Sequence, residues 1–328
     1  MKIIMEHGSG GKSTSELIES IFTNTFHNVL EDAAVVEGSG KLAITTDSFV
    51  VTPMEFPGGD IGRLCVCGTV NDMLMRGAVP KYITSAFILK EGTDTEFIKK
   101  IVDSMAATAK EAGVVVVAGD TKVIEGDEEG GILINTTGVG FIPDGVDISA
   151  ANAAAGDAII VSGNMGDHHA AILSSRLSIT NTIESDNAPL NDMVLKLINQ
   201  GIPVHTLRDV TRGGLATVLK ELAVASKGIF EIEEESVPVN PSVKDFCGLL
   251  GLDPMYMGNE GKLVALVPAE HAAKAVEIIR SCAYGQDAAI IGNVKSVGND
   301  SGSLYMNTRI GGKRTLDVLV GEGLPRIC

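Results

Sequence analysis

The chain has 328 residues, a formal net charge of −16 and 45% hydrophobic residues. That length predicts two domains with sizeable cores. The acidic balance excludes nucleic acid and anionic membrane surfaces as partners, since both need a basic field. A nucleotide remains open to an acidic chain, because Mg²⁺ can bridge carboxylates and phosphates. No apolar run approaches the ~20 residues of a membrane helix, and the opening MKIIMEHGSGG is too short for a signal peptide. Five sparse cysteines, an odd number, form no disulfide framework and predict a reducing cytoplasm.

In chain order, the glycine-rich HGSGGKS of residues 7–13 comes first. It is not a P-loop, because Glu6 stands where that pattern needs glycine. A glycine loop before a helix holds anions through backbone N–H groups, although a plain N-terminal loop fits equally well. Leu17, Ile18, Ile21 and Phe22 give residues 13–26 a helical stripe. Residues 41–51 read as a strand, and 60–76 as a helix of small residues with Asp60 as N-cap. Thr93 and Glu96 make a capping box for a helix that runs to Ala112 and stops at Gly113. Residues 114–118 read as a buried strand leading to Asp120, and 131–142 as a long strand.

The turn-rich stretch 143–156 predicts a domain boundary. Beyond it come strands at 158–162, 262–267 and 288–294, and helices at 190–199, 214–226, 241–250 and 269–283. Asn240 and Pro241 supply an N-cap and N1 pair. Strands and helices mix without regular βαβ spacing, so the fold class is α+β rather than doubly wound α/β. The expected division is a first domain at 1–150, a second at 151–312 and a mobile tail at 313–328. Fully extended, the last ten residues reach roughly 33 Å.

Asp32, Asp47, Asp72 and Asp120 stand at strand ends and turns. Each alone reads as a turn former, but together they offer the oxygen ligands of a magnesium–nucleotide site. In DVTRGG (209–214), Asp209 or Thr211 can cap the next helix, and Arg212 can face a phosphate. Glu260, between Asn259 and Gly261, is a candidate general base, with an exposed turn glutamate as the commoner alternative. His168 and His169 are adjacent, point different ways and read as structural. Cys328 ends the chain as an exposed nucleophile or an accident of composition. It is no prenylation signal, which needs cysteine fourth from the end.

Taken together, these segments resemble the HypE family of hydrogenase maturation factors over almost the whole chain. That family lies in the superfamily of aminoimidazole ribonucleotide synthetase, selenophosphate synthetase and thiamine-monophosphate kinase. The carrying segments include TDSF (46–49), PGGDIG (57–62), GTVND (68–72), AGDTK (118–122), LRDVTRGG (207–214), NEGK (259–262) and LPRIC (324–328). The last is the most specific, because the sister enzymes lack a cysteine tail. Val210 and His169 depart from the proline and glycine of the pattern, and neither change removes a functional group.

The resemblance implies two PurM-like α+β domains that dimerise through the first, with ATP near that interface. It also implies a mechanism. A carbamoyltransferase, HypF, loads a carbamoyl group onto Cys328. ATP phosphorylates the carboxamide oxygen, and loss of a proton and phosphate leaves a thiocyanate. The cyanide then passes to iron on a HypC–HypD scaffold. By the same resemblance, Asp47, Asp72 and Asp120 are the metal candidates. Gly8, Ser9, Gly10, Gly11, Lys12, Asn71 and Arg212 are the nucleotide candidates. Lys122 and Glu260 are the candidate bases, with Lys122 alternatively only neutralising phosphate. One rival is a kinase for a free small substrate of the selenophosphate or thiamine-phosphate type. Selenophosphate synthetases usually carry cysteine or selenocysteine in the N-terminal loop, where this chain has Ser9 and Gly11. Another rival is a nonenzymatic scaffold, which would hydrolyse no ATP.

Overall fold

A computed structural model describes residues 11–17, 34–37, 40–125, 131–298 and 301–321. Asp32, Gly8, Ser9, Gly10 and Cys328 lie outside these residues. Two sheets organise the described chain. The first has five strands in the order β1(Ala34–Glu37), β2(Lys41–Phe49), β7(Gly131–Phe141), β5(Val79–Lys90) and β6(Val115–Ile124). Helices α2(Ile61–Met75) and α3(Thr95–Glu111) belong to the same half of the chain.

Local chemistry explains where these two helices begin. Asp60 accepts from the Arg63 N–H and starts α2, as expected. Asp94, not Thr93, caps α3 by accepting from the Glu96 N–H. The Thr93 hydroxyl instead donates to the carbonyls of Lys90 and Gly131, which ties the helix approach to the neighbouring strand end. Gly138 lets α2 lie close on β7. A Cβ there would sit 2.6 Å from the Met73 methyl and 2.7 Å from the Thr69 methyl.

The second sheet has seven strands in the order β14(Lys313–Leu316), β13(Ser303–Asn307), β10(Ile229–Glu233), β12(Ala289–Ser296), β8(Asp157–Val161), β11(Leu263–Pro268) and β9(Thr206–Asp209). Strand β8 is buried along its whole length, which fits its continuous apolar run AIIV. On one face, α6(Gly214–Ala225) packs over Ile159, Val161, Phe230 and Val264 in one core cluster. On the other face, Ile160, Leu207 and Ala265 join α2 and the first sheet in a single apolar cluster. The two halves of the chain therefore share a continuous core, and the surfaces where they meet are fixed relative to each other.

Three expectations need correction. Residues 115–124 form one exposed strand at the edge of the first sheet, not a buried strand followed by a turn. Its valines match a buried strand because apolar runs do not tell a core from a face awaiting a partner. The expected tail begins later than residue 313, since Lys313–Leu316 pairs antiparallel with β13. Neither Asp209 nor Thr211 caps α6: Asp209 ends β9, and Gly213 is the N-cap at φ 82°.

Candidate functional site

Asp47 projects from β2 toward α2. Thr69, on α2, donates its hydroxyl to Asp47 Oδ2 at 3.3 Å. Asp72 lies three residues further along the same helix face, and Thr45 donates to its Oδ2 at 2.7 Å. Burial pushes the Asp47 carboxyl above its ordinary value; hydrogen bonds from Thr69 and Asp72 and the charge of Arg212 act against that rise. Two carboxyl groups in hydrogen-bond contact cannot both stay ionised cheaply, so they call for a shared proton or a cation.

Arg212 reaches this pair from the second half of the chain. It is exposed, and it sits in the turn between β9 and α6. The Val210 N–H donates to the Lys262 carbonyl at 2.8 Å, and the Asn259 N–H to the Val210 carbonyl at 3.1 Å. The Arg212 and Glu260 turns are thereby joined. Glu260 is 7% exposed, so it is not the surface turn residue of the commoner reading. It faces α2 closely enough for its charge to act on the Cys67 thiol, behind burial and nearer groups.

The structure sorts the other candidates. Asn71 is buried, and both ends of its amide are used within the protein. Nδ2 donates to the Ala188 carbonyl at 3.1 Å, and Oδ1 accepts from the Leu190 N–H at 2.9 Å. Asn71 therefore ties α2 to the segment at residues 188–190. Asp120 and Lys122 are not brought to Asp47. Asp120 pairs across with Ala86, Asn135 and Ser48, whereas Asp47 shares its row with Thr136, Ser85 and Gly119. Pleat alternation sets those rows on opposite faces, and three strand spacings separate the two aspartates by about 14 Å. Among the described residues, no group of three or more His, Cys, Asp or Glu side chains is placed to hold a metal ion.

Lys12 is exposed and pairs with Glu16 at 3.7 Å. Its N–H donates to the Leu319 carbonyl at 2.9 Å. Gly11 allows this approach, since a Cβ there would lie 2.4 Å from that same oxygen. The Leu319 N–H donates in turn to Thr217 Oγ1 at 3.1 Å. Thr217 stands one turn into α6 and packs against Gly213. The chain therefore leaves its last described residues between the glycine segment and the Arg212 turn.

Sequence reading missed Thr45, Thr69, Thr217 and the segment 185–190. Thr69 alone had a signal, its i,i+3 spacing from Asp72. It also missed a buried acidic group near Asp186 and Lys262. Asp167 opens α4(Asp167–Arg176), and burial, then the Asp186 charge, pushes its carboxyl up to about 6. The unfolded carboxyl ionises first as pH rises, so folding loses stability from about pH 4 to about pH 6. The full effect is on the order of 3 kcal/mol. Asp167→Asn keeps an oxygen for the Asn240 amide, which donates at 3.3 Å. The variant is expected to melt higher than the parent above pH 6, with the difference vanishing below pH 4. Thermal melts from pH 4 to 7 check this, and a pH-independent difference would refute it.

His168 is fully buried and held neutral by that burial, its titration pushed down to about 3. Its Nδ1 shares a hydrogen bond with Ser185 Oγ at 2.7 Å, in keeping with a structural role. The described cysteines Cys65, Cys67, Cys247 and Cys282 are free and buried, and burial pushes each thiol up. None is a ready nucleophile. Among the described residues no helix is long and apolar enough to cross a membrane.

Comparison with known proteins agrees with this layout. The AIR synthase related protein N-terminal domain matches residues 30–142, and the corresponding C-terminal domain matches residues 154–304. The carbamoyl dehydratase HypE of Rhodobacter capsulatus is 44% identical over 336 aligned positions, covering 100% of this chain and 98% of the relative. A solved HypE–HypF complex superposes with a TM-score of 0.87 at 48% identity, covering 92% of this chain and 99% of that one. A solved HypE bound to ATP superposes at 0.84 and 45% identity, with each chain covered in full (100%). With two PurM-like domains joined through one core and full-length identity to such relatives, the chain belongs to the HypE family of carbamoyl dehydratases.

Proposed function

We propose that this chain uses ATP to dehydrate a carbamoyl group carried on the Cys328 sulfur to a thiocyanate, the source of the cyanide ligand of nickel–iron hydrogenase. The observation that carries this reading is the path of Leu319. It is hydrogen-bonded to Lys12 on one side and Thr217 on the other, between the glycine segment and the Arg212 turn. Nine residues follow it, the last being Cys328. Fully extended they reach roughly 30 Å, enough for the terminal sulfur to enter the cleft of Asp47, Asp72 and Glu260. A tethered substrate needs no affinity of its own, because effective concentration replaces it.

The carboxamide oxygen attacks the γ-phosphorus of ATP and ADP leaves. The nitrogen gives up one proton as the phosphorylated imidate forms. It gives up the second as the C–O bond breaks, phosphate departs and the nitrile remains. Glu260 is the base we assign to the nitrogen protons. Arg212 faces the phosphates, whose transfer depends mainly on positioning and charge neutralisation. Gly8, Ser9, Gly10, Gly11 and Lys12 form the phosphate-side segment.

Asp47 and Asp72 suit Mg²⁺, which takes oxygen ligands and is usually held by one or two carboxylates with water and substrate phosphates. When bound, the ion neutralises phosphate charge. Asp120 and Lys122 belong to a different surface. Along β6, Val115, Val117, Val123 and Ile124 are exposed on a free sheet edge. An open apolar edge of this kind invites pairing with a second strand. We assign it to a second copy of the chain in a twofold dimer, with Asp120 and Lys122 at the shared boundary. The partners in this reading are HypF, which supplies the carbamoyl group, and HypC–HypD, which accepts cyanide on iron. The compartment is the cytoplasm, and the division of labour is ATP and dimer contacts in the first domain and the tail's root in the second.

Intact-mass spectrometry tests the reading. After incubation with HypF and its carbamoyl donor, the chain is expected to gain one carbamoyl group, and after ATP to lose one water. Cys328→Ala is expected to show neither change. A variant that still gained the adduct would place the carrier elsewhere, and a parent that hydrolysed no ATP would favour a scaffold.

A further inference from the structure

The segment of residues 185–190 crosses between the two halves of the chain and is bonded to both. The Ser185 N–H donates to the Pro57 carbonyl at 2.8 Å, and Arg63 Nε to the Asn187 carbonyl at 2.8 Å. Asn71 holds Ala188 and Leu190 from α2, and it is the neighbour of Asp72. On the opposite side the segment grips the Glu260 turn. Asp186 Oδ1 accepts the Glu260 N–H at 3.0 Å, and the Ala188 N–H approaches the Glu260 carbonyl at 3.4 Å. Both backbone groups of Glu260 are therefore set by a stretch of three residues.

From this geometry we propose that Asp186 is the positioning residue that sets Glu260 against the Asp47–Asp72 pair. Its side chain is 2% exposed. Its second oxygen, Oδ2, is buried without a hydrogen bond and faces Lys262 Nζ at 3.6 Å. Lys262 Nζ and Asp186 Oδ2 face each other across Gly261, while Oδ1 alone carries the bond to the Glu260 N–H. Gly261 admits no alternative packing: a Cβ there would lie 1.9 Å from the Asp186 carbonyl oxygen. The route from metal-side to base-side chemistry then runs from α2 through Asn71, along the segment, to Asp186 and Glu260. Asp186 acts through Glu260, whose N–H it accepts. Its contribution is geometric: a misplacement of about 1 Å costs on the order of 100-fold in rate.

The proposal rests on Glu260 acting as the base, and the test separates the two. Full-length chain, carbamoylated by HypF, is given ATP, and water loss is timed for the parent, Asp186→Ala, Asp186→Asn and Glu260→Gln. Asp186→Ala is expected to slow water loss by about 10- to 100-fold, with KM for ATP within about twofold of the parent. Asp186→Asn is expected to recover to within about threefold of the parent, because its amide oxygen still accepts the Glu260 N–H. Should Asp186→Ala fail to fold, Asp186→Asn decides: a near-parent rate supports the proposal, and a large loss overturns it. Parent-like turnover by Asp186→Ala, or a KM for ATP that rises as the rate falls, also overturns it. If Glu260→Gln runs at the parent rate, the assignment of the base fails and this proposal falls with it. If Glu260→Gln stalls while Asp186→Ala does not, only the positioning role is lost.

Discussion

Glu260→Gln is expected to accept the carbamoyl group on Cys328 at the parent rate and then to stall, losing water roughly 10²- to 10⁴-fold more slowly. The reason lies in what the two side chains share. Glutamine has the shape of glutamate and donates where the carboxylate accepts, but it takes up no proton at neutral pH. Glu260 is buried, and its backbone N–H and carbonyl are held by Asp186 and Ala188, bonds that glutamine at this position also makes. The substitution therefore removes a proton acceptor while leaving the turn's anchors intact. In the proposed reaction, loading by HypF on the Cys328 sulfur needs no base at residue 260, so the carbamoyl adduct should accumulate. A variant that both loads and dehydrates normally would move the base to another residue, with Lys122 the next to test.

The second large effect is expected at Asp72. Asp72→Asn should lower ATP turnover by on the order of 10² to 10³-fold, by analogy with the loss of other groups that stabilise transition-state charge. Its fold should be as stable as the parent's or more so. Burial already raises the Asp47 carboxyl, and the hydrogen bond from Asp72 is part of what holds it down. Because the folded value of Asp47 lies above the unfolded one, ionising Asp47 weakens folding as pH rises past the ordinary carboxylate range. Asparagine keeps the shape of Asp72 and can still donate to the Asp47 carboxyl, so the substitution removes a metal ligand without removing that contact, and activity falls while the fold holds. Added Mg²⁺ with ATP should raise the parent's melting temperature, since a ligand at 100 times its Kd stabilises by about 2.7 kcal/mol. The same addition should shift Asp72→Asn little, and chelating the metal should erase the parent's shift. Differential scanning fluorimetry with and without Mg²⁺ reads both, and an undiminished shift in the variant would remove Asp72 from the metal site.

The local starts and stops of the helices were legible in sequence because short-range chemistry writes them. Asp60 caps α2 by bonding the Arg63 N–H three residues on, and Gly113 takes φ 67° just beyond α3. The strand of residues 79–90 escaped notice, although it is central to the first sheet. Its pattern VPKYITSAFILK mixes polar and apolar residues on both faces, because one face meets helices and the other is partly open. Asn71 shows a different limit. An Asn–Asp pair on a helix reads as a ligand pair, but only the fold reveals that residues 188 and 190, more than a hundred positions away, take up the asparagine's amide.

Sequence alone determined this protein's family resemblance, its two-domain α+β class and the chemical types available: carboxylates for a hard cation, an arginine for phosphate, a glutamate for a proton, a terminal thiol. Those follow from residue identity and from spacings of a few positions, where local physics is enough. Tertiary structure decided which carboxylates meet. Asp47 and Asp72 come together because β2 packs on α2, while Asp120 is carried to a far edge by strand order. It also decided that Glu260 is buried against Asp186 and that Leu319 lies beside Lys12. Such pairings depend on sheet order and core packing between distant segments, and no short stretch of sequence encodes them.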